Sequence, residues 1–433
     1  MSKIQVDFSK PIKPIKAMHA GGQPPLSGSR TTYFHYMTEA GIPYSRLHDV
    51  GGPFAGSRYV DIPNIFRNFD ADENDPASYD FTFTDHLMAG LVEAGVEPYY
   101  RLGITIENYA DIKAYHTDPP KDYAKWARIC EHIIMHYTEG WADGFHYNIT
   151  YWEIWNEPDN YRPPYAPVSE MWNGTKEQYY ELYTVAAKYL KARFPHLKIG
   201  GYASCGFWEV TETEARKQKY PFYKYFMEFF YGFFEYIKKH DAPIDFFSWH
   251  SYSNTHDTLI QADFVEKELA RLGYPGLENH LNEWNPCHKE FYTAHHSAEI
   301  AAMMLGMQDK SPSILCIYDM KCSGSPIYAP LFHTHTQKPV GAYYSMVCFN
   351  HLYQLGTQVA LTCDTDELYA VAATNGKKHA LMISNLTGEK QKLELEGVDL
   401  TDAHIYVIDQ ERMMSWAPNA DEIDNNTVML IEF

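Results

Sequence analysis

The sequence predicts a (β/α)8 barrel followed by a small C-terminal antiparallel β-sandwich, on three observations. Eight short apolar or aromatic runs alternate with longer stretches of helical period up to residue 355, the rhythm of parallel β/α units. At 433 residues the chain exceeds what one core fills, since single cores stop growing at roughly 250 to 300 residues. From residue 356 the pattern turns to alternation of period two, broken by turn pairs such as Asn375-Gly376 and Thr387-Gly388.

The eight runs are 15–20, 43–48, 96–102, 150–157, 197–203, 244–250, 278–283 and 314–320. Between them, residues 85–95 carry Leu87, Leu91 and Val92 on one helical face and stop at Gly95, a C-terminal signal ahead of the next strand. Residues 123–137, 177–194, 264–273 and 298–308 read as helices by the same period, and 222–240 as a strongly aromatic helix packed on the barrel. The expected boundaries are 14–355 for the barrel and 356–433 for the β-domain. Residues 3–9 are expected to add a strand to that domain, because chain termini often lie close together.

Composition narrows the function. With 45% hydrophobic and 21% charged residues the chain is globular rather than disordered. The formal charge of −20 would repel a polyphosphate or an anionic bilayer, so neither nucleic acid nor a membrane is expected as a partner. No run of about 18 apolar residues marks a span, and the first residues lack the apolar core of a signal peptide. The cysteine count of seven is odd, and most lie in apolar runs as reduced thiols do, so a cytoplasmic compartment is expected. A secreted form trimmed of its leader would read the same way. Thirty-five tyrosines and nine tryptophans suit a large aromatic core and the stacking of sugar rings alike.

Two stretches carry the chemistry: YWEIWNEPDN at 151–160 and HLNEWNP at 280–286. Barrel enzymes hold their reacting groups at the C-terminal ends of strands, and Glu157 and Glu283 fall there on the fourth and seventh runs. Pro158 cannot donate to a ladder and is expected to hold Glu157 extended at the strand end, while Pro286 closes a similar turn after Glu283. Two carboxylates across a cleft suit glycoside hydrolysis: one protonates the leaving oxygen while the other attacks the anomeric carbon or activates water. Their environments must differ, so Arg46, His48, His250 and Tyr252 at other strand ends are candidates to tune the ionised partner, with Asn156 a donor to a sugar hydroxyl. Trp284, beside Glu283, is a candidate substrate-binding residue. Glu153 alternates with the inward set and is expected as a buried, paired acid. A lone Asn-Glu-Pro serves equally as a cap or a surface charge; the pair on runs four and seven makes the signal specific.

These residues resemble a known family. EIWNEP, NEW, RLHDVGG after the second run, WHSY at the sixth and the stretch 66–103 are similar to glycoside hydrolase family 39, the β-xylosidases and α-L-iduronidases, over nearly the whole chain. The resemblance implies Glu157 as general acid/base and Glu283 as nucleophile of a retaining double displacement. It further implies that Asn156 holds the 2-hydroxyl, that Tyr252 and Arg46 flank the nucleophile, and that His48 and His250 line the first subsite. Gly22 and Gln23 would border the same pocket. Terminal xylose or arabinose of plant-type oligosaccharides is the implied substrate, with no cofactor. Two departures concern specificity: the eighth run reads CIYDM without the Trp common in this clan, and the loop 206–221 is long.

Other classes have weaker footing. A metal hydrolase would draw on His295, His296, His333 and His335, but no matched carboxylate accompanies them, so no metal is expected. A silent carbohydrate-binding protein needs no acid and nucleophile together, and transglycosylation would use the same residues as hydrolysis. The sugar, the linkage, terminal or internal cleavage and the oligomeric state are not written in these motifs.

Overall fold

The computed structural model describes residues 1–26, 31–50, 60–105, 117–161, 171–286, 290–322 and 328–433. Gly51 and Gly52 of the RLHDVGG motif, and Cys287, lie outside the described residues.

Eight parallel strands close into a barrel: β2 (Ala17–Gly22), β3 (Tyr44–Leu47), β4 (Glu97–Leu102), β5 (Tyr151–Ile154), β6 (Lys198–Ser204), β7 (Phe246–Ser251), β8 (Glu278–Trp284) and β9 (Ile314–Tyr318). β2 pairs with β9 to complete the ring. All eight fall on the runs read from the sequence, because each is apolar enough to be buried on both faces, as parallel strands are. The barrel floor is filled by Ala17, Ala20, Tyr99, Tyr151, Phe246, Ile314 and Cys316. Further up, the inward positions turn polar and the site begins.

The helices follow from local signals. Lys176–Arg193 opens with a capping box, in which the Thr175 hydroxyl accepts from Gln178 N while the Gln178 side chain accepts from Thr175 N. Tyr223–Lys239 turns Phe226, Phe229, Phe230, Phe233, Phe234 and Ile237 inward, so the aromatic helix is a packing element. The helix read as 264–273 spans Thr255–Leu272 instead, because Asn254 caps it by accepting from Asp257 N at 2.8 Å.

The C-terminal strands are β10 (Thr357–Cys363), β11 (Leu368–Thr374), β12 (His379–Asn385), β13 (Gln391–Glu396), β14 (His404–Ile408), β15 (Ser415–Trp416), β16 (Glu422–Ile423) and β17 (Thr427–Glu432). With the N-terminal β1 (Ser2–Pro14) they form one nine-stranded sheet, ordered β15-β14-β17-β12-β11-β10-β1-β13-β16. The pairing is antiparallel except between β1 and β13, so the sheet is mixed. Period two sorts its faces. Val371, Ala373, Ala380, Met382, Val428 and Leu430 join the barrel core. Ala372, Leu381, Ile383, Met429 and Ile431 build a separate core with Ile4, Val6 and Ile423, around which the sheet curls. The join is tight: helix Gly341–Leu355 ends on Gly356 in the left-handed region (φ 84°) and β10 starts at the next residue.

Candidate active site

Above the floor, a buried ionic layer ties four strands together. Arg46 of β3, 1% exposed, donates from Nε to Glu153 Oε2 (2.8 Å), from Nη1 to Glu283 Oε2 (3.1 Å) and from Nη2 to Asn156 Oδ1 (2.5 Å). Glu153 Oε1 accepts from Ser248 Oγ of β7 at 2.6 Å and from Asn282 Nδ2 of β8 at 2.5 Å. The ends of β3, β5, β7 and β8 are therefore braced by the same guanidinium–carboxylate unit, and Glu153 is the buried, paired acid that its strand parity implied.

Glu283 owes its orientation to a β-bulge. Along β7 and β8, Leu281 pairs with Trp249 and Glu283 with His250, so Asn282 is skipped, and along β8 and β9 the register slips between Leu281 and Trp284. One extra residue lets both Asn282 and Glu283 face the barrel, where strict alternation would send one of them out. Trp284 is then directed away from the mouth. It is 0% exposed and part of the main hydrophobic core, which corrects its reading as a substrate-binding residue.

Glu157 reaches the mouth differently from the sequence expectation. β5 ends at Ile154, and both Trp155 (φ 73°) and Glu157 (φ 44°) adopt the left-handed region, so Glu157 is not extended. Proline disfavours the right-handed helical region for the residue before it, and the turn meets that restriction with positive φ. Neighbouring strand ends hold the turn, with Trp155 N donating to Leu102 O (2.7 Å) and Glu157 N to Ala203 O (3.0 Å). Asp159, accepting from Ser204 Oγ (2.8 Å), pins its far side. Such left-handed non-glycine residues cost about 1–3 kcal/mol each and cluster at functional sites.

The two carboxylates meet at His250. Its Nδ1 donates to Glu157 Oε1 at 2.8 Å, and its Nε2 lies 3.7 Å from Glu283 Oε2. One oxygen of each glutamate and one His250 nitrogen all lie within 4.8 Å of one another. Asn160 Nδ2 donates to Glu157 Oε2 at 2.8 Å, and Tyr252 Oη to Glu283 Oε1 at 2.5 Å. The environments differ: the Glu157 side chain is 14% exposed and that of Glu283 7%. Burial raises the Glu283 pKa and Glu157 adds to it, against the pull of His250, Arg46 and Tyr252. Burial disfavours the His250 imidazolium, but Glu283 and the hydrogen bond to Glu157 outweigh it and its pKa is raised. Burial, then Glu283, keeps the Tyr252 phenol protonated and hence a donor.

The remaining candidates gather on the opposite wall. Gln23, just past β2, donates from Nε2 to Tyr318 Oη (3.4 Å), and Tyr318 Oη donates to Asp49 Oδ2 (2.5 Å). His48 Nε2 sits 3.3 Å from Asp49 Oδ1, and burial, outweighing Asp49, holds the imidazole neutral. Tyr318 stands at the end of the eighth barrel strand, where the sequence lacks the expected Trp, and its ring lies 6.5 Å from that of Tyr252. Asn160, Asp49, Tyr318 and Asn282 were not singled out as site residues. Asn160 stands three residues after Glu157 in the same turn motif, Asp49 beside His48 and Tyr318 in the eighth run, so each had a local signal; Asn282 had none, since strict alternation with Glu283 would turn it outward.

The four histidines considered for a metal do not converge. His296 Nε2 meets Asn285 Oδ1 within the core, His295 Nδ1 meets Glu290, and His333 Nδ1 meets Thr336. Among the described residues the one cluster with ligand spacing is Glu157, His250 and Glu283 itself.

Fold and site together define a (β/α)8 barrel that presents a carboxylate pair from its fourth and seventh strands. A profile of glycosyl hydrolases family 39 matches residues 4–274, and the chain belongs to that family. A beta-xylosidase of Geobacillus stearothermophilus is 24% identical over 282 residues, which are 57% of this chain and 50% of its own length. A beta-xylosidase of Caldicellulosiruptor saccharolyticus is 26% identical over 269 residues, 57% of this chain and 46% of its own. The chain spans about half the length of the curated relatives it matches. A solved glucosidase from Croceicoccus marinus shares the fold with a TM-score of 0.77 at 19% identity, covering 100% of this chain and 98% of its own. A monomeric beta-xylosidase from Caulobacter crescentus CB15 does so with a TM-score of 0.68 at 16% identity, covering 99% of both chains. No helix among the described residues is long and apolar enough to cross a membrane.

Proposed function

We propose that this chain is a retaining glycoside hydrolase that releases terminal neutral sugars such as xylose or arabinose from plant-type oligosaccharides by double displacement. The observation that carries the reading is the spacing of the carboxylates: oxygens of Glu157 and Glu283 approach within 4.8 Å. Retaining pairs stand about 5–5.5 Å apart, whereas inverting pairs need about 6.5–9.5 Å to admit a water.

Each step has a residue. Glu283, its orientation set by Arg46 and Tyr252, attacks the anomeric carbon and forms the glycosyl ester. Glu157, on the more open side, gives its proton to the departing oxygen and then takes one from the water that resolves the ester. Asn156 accepts from Arg46 through Oδ1, which leaves Nδ2 without a partner among the described residues and free to donate to the 2-hydroxyl. The xylose assignment draws support from the two beta-xylosidase relatives, while the glucosidase neighbour keeps hexosides in the test. The six described cysteines carry free thiols, in keeping with the reducing, cytoplasmic compartment we propose.

The test is release of 4-nitrophenol from β-xyloside, α-L-arabinoside, β-glucoside, β-galactoside, β-glucuronide and α-L-iduronide, with Glu283→Ala as control. A xyloside or arabinoside hit that vanishes in the variant is expected. Silence across the panel with tight sugar binding would replace the hydrolase by a binding protein. Retained oligosaccharide products longer than the substrate would make it a transglycosylase.

A further inference from the structure

Strand β8 turns a column of polar side chains into the barrel. Period two points Glu278, His280 and Asn282 to the axis, and the bulge sets Glu283 above them. Barrel interiors are ordinarily filled by branched apolar side chains, and a buried polar group costs free energy unless it is hydrogen-bonded. His280, Asn282 and Glu283 are buried and Glu278 is partly so, which makes the column expensive unless it is fully paired.

Proton counting gives the column one direction. At the N-terminal rim Glu278 accepts from Lys198 Nζ and from Tyr151 Oη (2.6 Å); burial opposes its charge, but His280, Lys198 and Tyr151 outweigh burial and keep it ionised. Burial, outweighing Glu278, holds the His280 imidazole neutral, so the ring carries one proton. That proton lies on Nε2, 3.1 Å from Glu278 Oε1, because a carboxylate only accepts. Nδ1 is left to accept from Tyr99 Oη of β4 at 3.1 Å. Burial keeps Tyr99 a phenol, and with its single proton spent on His280 its oxygen accepts from Asn282 Nδ2 at 3.5 Å. Asn282 Nδ2 also donates to Glu153 Oε1 at 2.5 Å, and Glu153 holds the Arg46 guanidinium that donates to Glu283. Hydrogen bonds therefore run unbroken from the rim to Glu283.

The tautomer of His280 decides which end of the Asn282 carboxamide points where. A proton on Nδ1 would turn the Tyr99 hydroxyl toward Asn282 and call for the carbonyl oxygen there. With Nε2 protonated, Tyr99 takes an N–H instead, and both N–H bonds of Asn282 are committed. Its Oδ1 is buried without a partner, so the N–H groups alone set the orientation. Asn282 is also the residue skipped by the bulge, so anchoring its side chain inward keeps the next residue, Glu283, inward as well.

We infer that Asn282, held by Tyr99 and His280, is a positioning residue that aims Glu283, and that the polar column of β8 fixes this aim from the N-terminal end of the barrel. The inference rests on the glycoside-processing reading of the site, in which Glu283 is the nucleophile. A leucine at 282 fits the volume but bonds to neither Tyr99 nor Glu153, so the extra residue is no longer held inward and Glu283 moves off Arg46 and Tyr252.

The experiment is a double-mutant cycle on the full chain: wild type, Asn282→Leu, Tyr99→Phe and the pair. Thermal melting checks folding. The readouts are kcat and KM on an aryl glycoside and the Glu283 pKa by carboxyl 13C NMR, its signal assigned by loss in Glu283→Gln. Asn282→Leu is expected to lower kcat at least about thirtyfold with KM within about threefold of wild type, because a misaimed nucleophile costs the chemical step rather than binding. Its Glu283 pKa should rise: burial and Glu157 still oppose the charge, while Arg46 and Tyr252 no longer favour it and His250 alone remains. Tyr99→Phe should lower kcat about fivefold alone, the worth of one hydrogen bond, and add nothing in the Asn282→Leu background. Should Asn282→Leu fail to fold, Asn282→Thr, whose single hydroxyl proton goes to Glu153, takes its place in the cycle with the same expectation for Tyr99→Phe.

A folded Asn282→Leu with wild-type kcat and wild-type Glu283 pKa overturns the inference. So do equal losses from Tyr99→Phe in both backgrounds, which would make Tyr99 a packing residue only. If no aryl glycoside is turned over but the Glu283 pKa moves as stated, the hydrolase reading falls and the positioning role stands. Turnover that survives Asn282→Leu with the pKa unmoved does the reverse.

Discussion

His250 joins the two glutamates through opposite ring nitrogens, 2.8 Å from Glu157 Oε1 on one side and 3.7 Å from Glu283 Oε2 on the other. A single imidazole thus senses both charges, and a change at either carboxylate alters the proton affinity of the other.

Glu283→Ala is expected to abolish turnover, with azide or formate restoring part of it and giving product of inverted configuration. Glu157→Ala should slow poor leaving groups far more than activated aryl glycosides, because an activated group departs with little protonation. Steady-state kinetics on both substrate types checks the assignment; equal losses would remove Glu157 from the role of acid.

The pH profile should report the raised Glu283 pKa. As the proposed nucleophile, Glu283 must be ionised, so activity is expected to be lost as pH falls through a value above that of an ordinary glutamate. Tyr252→Phe deletes a donor that favours the ionised form, and the acid limb of kcat/KM is expected to move to higher pH.

Glu153→Gln should move the same limb the other way. With its negative charge gone, Arg46 acts more fully on Glu283 and stabilises the carboxylate, so the limb shifts to lower pH. Glu153→Ala is expected to lose about 3 kcal/mol or more in denaturant unfolding, since Ser248 and Asn282 are left as buried donors at roughly 1–3 kcal/mol each.

Trp284→Ala should cost stability before it costs binding. The ring is fully buried in the main core, and emptying such a site loses about 3–5 kcal/mol. Thermal melting of Trp284→Phe beside its KM separates the two roles: a lowered Tm with an unchanged KM is expected.

Dialysis against a chelator is expected to leave turnover intact, with zinc far below stoichiometry by elemental analysis. Added zinc should instead inhibit, because Glu157, His250 and Glu283 are spaced to capture it.

The eight barrel strands, the major helices and the change to period two after residue 355 were legible in the sequence because each is written locally, in apolar runs of the right length and in caps and glycines at their ends. Glu157 and Glu283 were legible as a pair for the same reason: two short motifs at the ends of the fourth and seventh strands. Glu153 could be read by counting alternation back from the motif. Trp284 was misplaced because it was read by its adjacency to Glu283, although alternation from Glu283 turns it outward; what counting misses is Asn282, which the bulge turns inward beside Glu283.

By itself, then, the sequence determined the barrel and its acid pair, since hydrophobic period and strand-end motifs act within a few residues of chain. Tertiary structure alone decided how the pair is held and which polar groups stand around it. The left-handed turn at Glu157 depends on hydrogen bonds donated to the carbonyls of Leu102 and Ala203, and Tyr318 finds Asp49 across 269 residues of sequence. The closed ring of strands supplies the reason: it brings eight strand ends from distant parts of the chain into one small volume. There burial forces each polar group to take a partner, and the identity of that partner is fixed by register rather than by its neighbours in sequence.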